Sequence, residues 1–203
     1  MIACLDLEGV LLPEIWIKFA EKSGIEELKI TTRDIPDYST LMKTRLQILR
    51  THNLKINDIQ DVIDTLEPLE GAKEFLIWLQ SEFQVIILSD TFYEFSGPLM
   101  KQLEYPTLFC HQLIIAKNGA ITDFQLRQKD QKTKSVKALQ GLNFKVISAG
   151  DSYNDIGMLQ QADSGILFCP PVSVVKEYPQ FPIANNYKEF QALLLSARKK
   201  LLG

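Results

Sequence analysis

The sequence predicts an α/β protein, a parallel sheet sandwiched by helices, and three observations predict it. Apolar runs bounded by turn residues recur at Ile2–Asp6, Phe83–Leu88, Lys145–Ala149 and Ser164–Phe168. The segments between them carry helical periodicity, and strands that alternate with helices form parallel pairs through crossovers. Each run ends near a polar or small residue, and in open sheets of this kind ligands gather at the carboxyl ends of the strands.

The first run delivers Asp6 and Glu8 two residues apart. In an extended chain such side chains share a face, so these two would converge on one spot and raise each other's cost of ionisation. A metal ion would relieve that, or a shared proton. An excursion over residues 12–72 follows, much longer than a minimal crossover. Its segments Glu14–Lys22, Ser39–Arg50 and Asn57–Leu66 read as amphipathic helices, and in the last Ile59, Val62, Ile63 and Leu66 share a face behind Asn57 as the cap. The expected organisation is a core of residues 1–11 and 73–203 with a helical cap, residues 12–72, inserted after the first strand. After the strand at Phe83–Leu88 and its helix, Leu113–Ala116 and Ile121–Leu126 flank Asn118-Gly119, which predicts a short β-hairpin insertion at about 110–127. Phe92, Tyr93 and Phe95 are expected in helix core and pocket wall, and Trp16 and Trp78 in packing. Tyr187–Lys200 closes the chain as a covering helix, with Arg198, Lys199 and Lys200 placed favourably at its end.

Composition narrows the function. A chain of 203 residues that is 46% hydrophobic is enough for one main core with a small accessory module. No apolar run approaches the roughly 20 residues of a membrane helix, and the start of the chain lacks a secretion-signal pattern, which points to the cytoplasm. A net charge of −3 with both signs scattered offers no basic stripe for nucleic acid, so small-molecule partners are expected. Cys4, Cys110 and Cys169 form no C-x-x-C pair and read as buried small hydrophobes, while His52 and His111 stand apart from other ligand-type residues and read as structural or surface positions.

Four polar clusters fall at the expected strand ends: Asp6-Leu7-Glu8-Gly9-Val10, Ser89-Asp90-Thr91, the lysines of residues 129–134, and Gly150-Asp151-Ser152-Tyr153-Asn154-Asp155. Together they supply a carboxylate nucleophile, a hydroxyl, an ammonium and further carboxylates, the set that phosphoryl transfer through an aspartyl phosphate requires. A phosphate monoester brings two negative charges to an anionic nucleophile, and cations must offset that repulsion.

With these motifs, DLEGV, ILSD, a lysine and GDSYND, the chain resembles the haloacid dehalogenase superfamily of phosphotransferases over nearly its whole length. Within it the phosphoserine phosphatase branch is the nearest likeness, and the strings DLEGVL, PEIW, TTRDIPDY, LSDTFYEF and GDSYND resemble those of its bifunctional phosphoserine phosphatase and phosphoserine:homoserine phosphotransferase group. The resemblance implies a Rossmann-like core and an Mg²⁺ ion held by the Asp6 and Asp151 carboxylates and the Glu8 backbone carbonyl, with Asp155 orienting the site from behind. It implies that Asp6 attacks phosphorus, that Ser89 and a lysine hold the phosphoryl oxygens, and that backbone amides around Leu7 and Asp90 help cradle them. Helical phase favours Lys132, since Val136 and Leu139 follow at i+4 and i+7, with Lys129 and Lys134 left open.

Glu8 departs from the pattern, because most phosphatases of the superfamily have Asp there as the acid and base. One more methylene moves the carboxyl by roughly a bond length, and a misplacement of about 1 Å can be costly in catalysis, so transfer to a bound alcohol would gain on hydrolysis. Glu14 and Arg45 match the branch's pattern for holding the ammonium and carboxylate of phosphoserine, and Asn154 is a further substrate contact. Homoserine is the implied second substrate, and exposed apolar positions on the cap would allow a homodimer. Two other readings stay open: a phospho-aspartate signalling domain, and a catalytically silent amino-acid-phosphate binder.

Overall fold

The structure is a computed structural model of the chain, and it describes residues 1–32, 34, 35 and 37–203. Of the TTRDIPDY string, residues 33 and 36 therefore lie outside the described residues.

The chain opens with β1 (Ile2–Leu5), then α1 (Ile15–Ser23), a 3-10 turn (Glu26–Lys29), α2 (Tyr38–Thr51), α3 (Ile56–Ile63) and α4 (Ala72–Glu82). It continues through β2 (Gln84–Phe92), α5 (Tyr93–Gln102), β3 (Thr107–Ile115), β4 (Ile121–Gln125) and α6 (Gln131–Gly141). After β5 (Val146–Gly150) come a 3-10 turn (Tyr153–Asp155), α7 (Ile156–Gln161), β6 (Ser164–Phe168), α8 (Val172–Glu177), β7 (Ile183–Ala184) and α9 (Tyr187–Leu202).

Seven strands form one sheet in the order β4-β3-β2-β1-β5-β6-β7. All pairs are parallel except β3 with β4, which are antiparallel. The chain winds outward from β1 to one edge, returns to place β5 against β1, and winds to the other edge. The switch point therefore lies between β1 and β5, where a crevice opens at the strand carboxyl ends.

Alternation in β1 serves both faces of the sheet. Ala3 and Leu5 join a core with α4, α9 and the helices that follow β1, whereas Ile2 and Cys4 pack with Val136 of α6, Ile156, Met158 and Leu159 of α7, and Val174 of α8. The first of these cores runs without a break from the sheet into Phe19, Leu46 and Ile59 of the helices between β1 and β2. Those helices also lean on the β3–β4 hairpin: the Arg50 Nη2 donates to the Thr122 carbonyl at 2.6 Å and the Ile56 amide to the Gly119 carbonyl at 3.0 Å. The hairpin turns at Asn118-Gly119 as expected, with Gly119 at φ 84° and the Ala120 amide donating to Asn118 Oδ1.

Several local expectations are corrected. Asn57 does not cap its helix, because α3 begins one residue earlier and Asp58 accepts from the Lys55 amide at 2.7 Å. The second strand does not stop at Leu88 but continues to Phe92. The hairpin's first arm is the outer half of β3, whose inner half pairs in parallel with β2. Cys4 and Cys110 are buried, but Cys169 follows the end of β6 and is exposed at φ 46°. Phe92 and Phe95 are core residues, whereas Tyr93 is exposed and donates to the Leu108 carbonyl. Among the described residues, no helix is long and apolar enough to cross a membrane.

Candidate active site at the carboxyl edge of the sheet

Three strand ends build the floor of the site. Leu5 pairs with Ala149 across β1 and β5, and the Asp6 amide donates to the Ala149 carbonyl at 2.9 Å, which sets Asp6 beside the start of the Gly150-Asp151 loop. Asp6, Asp151 and Asp155 offer oxygens that all lie within 4.8 Å of one another. Two glycines make that approach feasible. A Cβ on Gly150 would stand 2.2 Å from Asp155 Cγ, and one on Gly9, at φ 79°, would stand 2.5 Å from Asp151 Cγ. Neither separation leaves room for a methyl group.

Asp155, fully buried, folds back to accept from the amides of Asp151 at 3.0 Å and Ser152 at 3.1 Å. Its other oxygen takes Lys132 Nζ at 2.7 Å, and the same ammonium lies 2.9 Å from Asp6 Oδ1 and 3.8 Å from Asp90 Oδ2. Lys132 occupies the first turn of α6 and is buried, while Lys129 and Lys134 are exposed. Buried Val136 and half-buried Leu139 seat the helix against the sheet, which turns Lys132 toward Asp6.

Ser89, Asp90 and Thr91 reach the site through a break in the β2 ladder. From Leu88↔Phe109 to Phe92↔His111, four residues of β2 are matched to two of β3, so the intervening residues arch out of register toward the cleft. The arch is tied down by Gln131, whose Nε2 donates to the Ser89 carbonyl, and by the Tyr38 hydroxyl, which donates to the Asp90 carbonyl. Asn154 donates to Asp90 Oδ2 at 3.1 Å.

The charges of the floor favour a cation. Burial, reinforced by the charge of Asp155, pushes the Asp6 carboxyl well above its usual range even with Lys132 opposing it. Burial followed by the charges of Asp155 and Glu14 raises Asp151 to about 7. Burial alone would lower Lys132, yet Asp155, Asp6 and Asp90 hold its ammonium well above the usual lysine value. Burial alone would also raise Asp90, but Lys132, His111 and Asn154 hold it well below the ordinary range. One ammonium among these carboxylates leaves an excess of negative charge that a hard, oxygen-preferring divalent cation fits.

Glu8 lines the same cleft as Asp6 but takes different partners, so beyond burial the charges that raise Asp6 are those of Asp155 and Asp151 rather than that of Glu8, which corrects the expected mutual effect. The chain turns at Leu7 after β1 ends, and Glu8 Oε2 accepts from the Ile15 amide at the start of α1 at 2.9 Å. Burial and the charge of Glu14 raise its carboxyl to about 7, against the Ile15 amide, the Thr91 hydroxyl and Arg45. The Leu7 amide, expected in a phosphate cradle, here donates to Asp6 Oδ1 at 2.7 Å.

Above this floor opens a solvent-exposed cleft lined by Asp6, Glu8, Ser89, Asp90, Asp151 and Asn154 below and Glu14, Trp16, Tyr38 and Arg45 above. The buried Arg45 guanidinium lies 4.7 Å from the Trp16 ring and donates from Nη2 to the Ile30 carbonyl at 2.7 Å, while its Nε is without a partner among the described residues. The site therefore gathers every expected residue. Tyr38, His111 and Gln131 were missed, since each joins through tertiary contacts that no local spacing announces, whereas Thr91 comes with its cluster.

Fold and site together define a hydrolase with an acidic centre at the carboxyl edge of a doubly wound sheet. The haloacid dehalogenase-like hydrolase family profile matches residues 2–163, and the chain belongs to that family. It is 60% identical over 202 residues to the phosphoserine phosphatase ThrH of Pseudomonas aeruginosa, covering 100% of this chain and 98% of that one. It is 59% identical over 201 residues to a phosphoserine phosphatase of Pseudomonas syringae pv. tomato, covering 99% of this chain and 85% of the relative. A substrate-bound phosphoserine phosphatase shares the fold with a TM-score of 0.77 at 19% identity, over 95% of this chain and 97% of the other. An apo phosphoserine phosphatase superposes with a TM-score of 0.74 at 22% identity, over 90% and 91%.

Proposed function

We propose that this protein is an Mg²⁺-dependent phosphoserine phosphatase that also transfers the phosphoryl group to homoserine through a phosphoryl ester of Asp6. The observation that carries the reading is the buried cluster of Asp6, Lys132, Asp151 and Asp155 beneath a cleft whose upper wall presents Glu14 and Arg45. The similarity to two Pseudomonas phosphoserine phosphatases along the whole chain supports the substrate.

Asp6, Asp151 and the Glu8 backbone carbonyl would hold the cation, with Asp155 fixing the loop behind them. When bound, the cation supplies positive charge that lets an anionic carboxylate approach a phosphate dianion. An Asp6 oxygen forms a bond to phosphorus as the bond to the serine oxygen breaks, and the Glu8 carboxyl protonates the departing alkoxide. Glu8, now a carboxylate, takes the proton of the incoming water or homoserine hydroxyl. That oxygen bonds to phosphorus, the bond to Asp6 breaks, and orthophosphate or phosphohomoserine leaves. Lys132 and Ser89 hold the phosphoryl oxygens throughout. Arg45 pairs with the substrate carboxylate and Glu14 with its ammonium, while Asn154 lines the same wall. Residues 12–72 act as the cap that carries this upper wall.

One incubation tests the reading: phosphoserine, Mg²⁺ and protein, with and without homoserine, reading inorganic phosphate and phosphohomoserine together. Phosphate release that gives way to phosphohomoserine when homoserine is added is expected. A stable phosphorylated Asp6 with no turnover would mark a signalling domain, and binding without release a silent binder.

A further inference from the structure

We infer that His111 is a positioning residue for the phosphoryl subsite, acting by holding the Asp90 carboxylate turned away from the place the phosphate must occupy. The inference rests on the phosphotransfer reading above for the position of that subsite.

A carboxylate beside a phosphate subsite is a liability, because its charge repels the incoming dianion. Asp90 stands in that place. It lines the cleft with Asp6 and Ser89, it directly follows Ser89 in the arch of β2, and its Oδ2 lies 3.8 Å from the ammonium of Lys132. An Asp90 side chain free to turn inward would both meet the phosphate and draw Lys132 away from Asp6.

The geometry supplies a restraint. The register Phe92↔His111 sets His111 of β3 beside the arch, and the imidazole is buried with its Nε2 3.4 Å from Asp90 Oδ1. Its Nδ1 accepts from the Arg127 amide at 3.1 Å, so the network assigns the proton of a neutral ring to Nε2, the nitrogen that faces Asp90. Asn154 takes the other oxygen of Asp90 at 3.1 Å. The Tyr38 ring packs beside the imidazole, tilted by 53° with centroids 5.8 Å apart, while its hydroxyl donates to the Asp90 carbonyl. The ring thus joins a backbone amide on one side to the Asp90 carboxylate on the other, at an oxygen that Gln131 Nε2 also approaches at 3.4 Å, and only the second link concerns the phosphate.

Two variants separate those links. His111→Gln keeps a donor at the position of Nε2 and gives up the acceptor for Arg127, whereas His111→Asn keeps the acceptor and gives up the donor. His111→Asn is expected to raise KM for phosphoserine and weaken orthovanadate binding by about ten-fold each, the lower range for an outer-shell partner, with His111→Gln closer to the parent. Adding Asp90→Asn to His111→Asn removes the charge that was set free and should recover vanadate affinity. Vanadate binding, read as a thermal shift with Mg²⁺ present, mimics phosphate and needs no knowledge of the organic substrate. A parent that binds vanadate but does not hydrolyse phosphoserine would overturn the substrate reading alone. Unchanged KM and vanadate affinity in His111→Asn would overturn the role of His111, as would equal losses in both single variants, or a double variant no better than His111→Asn.

Discussion

Lys132 Nζ lies 2.9 Å from Asp6 Oδ1 and 2.7 Å from Asp155 Oδ1, with all three side chains buried, so one ammonium holds the first and last acidic motifs of the chain together. Removing one partner of such a group leaves an uncompensated buried charge, which typically costs about 3–5 kcal/mol. Lys132→Met is expected to lose about 3 kcal/mol of stability in urea titrations with a chelator present. Lys132→Met combined with Asp155→Asn should lose less than the sum of the single variants by more than about 1 kcal/mol, since the pair is in direct contact. Strict additivity would show that the two do not share the energy assigned to them.

Gly150 is where backbone and side chain approach most closely, with a Cβ placed 2.2 Å from Asp155 Cγ. Gly150→Ala must displace Asp155 and with it the amides it fixes. Overpacking of this kind costs about 1–3 kcal/mol, and the activity should fall much further than the stability. Parent-like activity with alanine in place would mean that the Asp155 position is not required.

Glu8 reaches the Ile15 amide at 2.9 Å through its full side-chain length. Glu8→Asp shortens the reach by one methylene and frees the carboxylate from α1, so the ratio of phosphohomoserine to inorganic phosphate should fall at fixed homoserine. An unchanged ratio would remove Glu8 from the choice between alcohol and water.

Away from the site, Asp163 ties β5 to the start of β6. It accepts from the Val146 amide at 2.9 Å, from Lys145 Nζ at 2.7 Å and from Gln140 Nε2 at 3.2 Å. Burial works to raise its carboxyl, but Lys145 and the Val146 amide outweigh it and hold the group below the ordinary aspartate value. A folded value below the unfolded one gives stability that is complete above about pH 4 and lost as the pH falls through the depressed folded value. Asp163→Asn should therefore cost about 1.5 kcal/mol at neutral pH, the lower end for hydrogen bonds to a charged group, and the difference should vanish in acid. A gap between parent and variant that persists or grows below about pH 3 would contradict the assignment.

The fold was legible because its signals are local. Four apolar runs marked four of the seven strands, Asn118-Gly119 marked the hairpin, and the lengths between them separated the long excursion from the ordinary crossovers. Lys132 was legible through helical phase, and the acidic motifs through their places at strand ends. The arch at Ser89–Thr91 was not, because a register shift is a property of two strands and only one of them had been recognised there. His111 escaped for the same reason: alone in the sequence it has no company, and only its pairing opposite Phe92 brings it to Asp90. The separate partners of Asp6 and Glu8 were hidden by treating both as part of one extended strand, when β1 ends at Leu5 and Glu8 accepts from the Ile15 amide.

The central claim is that Asp6 carries the phosphoryl group, and acid quenching of the protein during turnover of phosphoserine with Mg²⁺ tests it most directly. Mass spectrometry of the digested protein should find one added phosphoryl group on Asp6 in the parent and none in Asp6→Asn, which should also release no phosphate. A phosphoryl group on another residue, or continued phosphate release by Asp6→Asn, would contradict it.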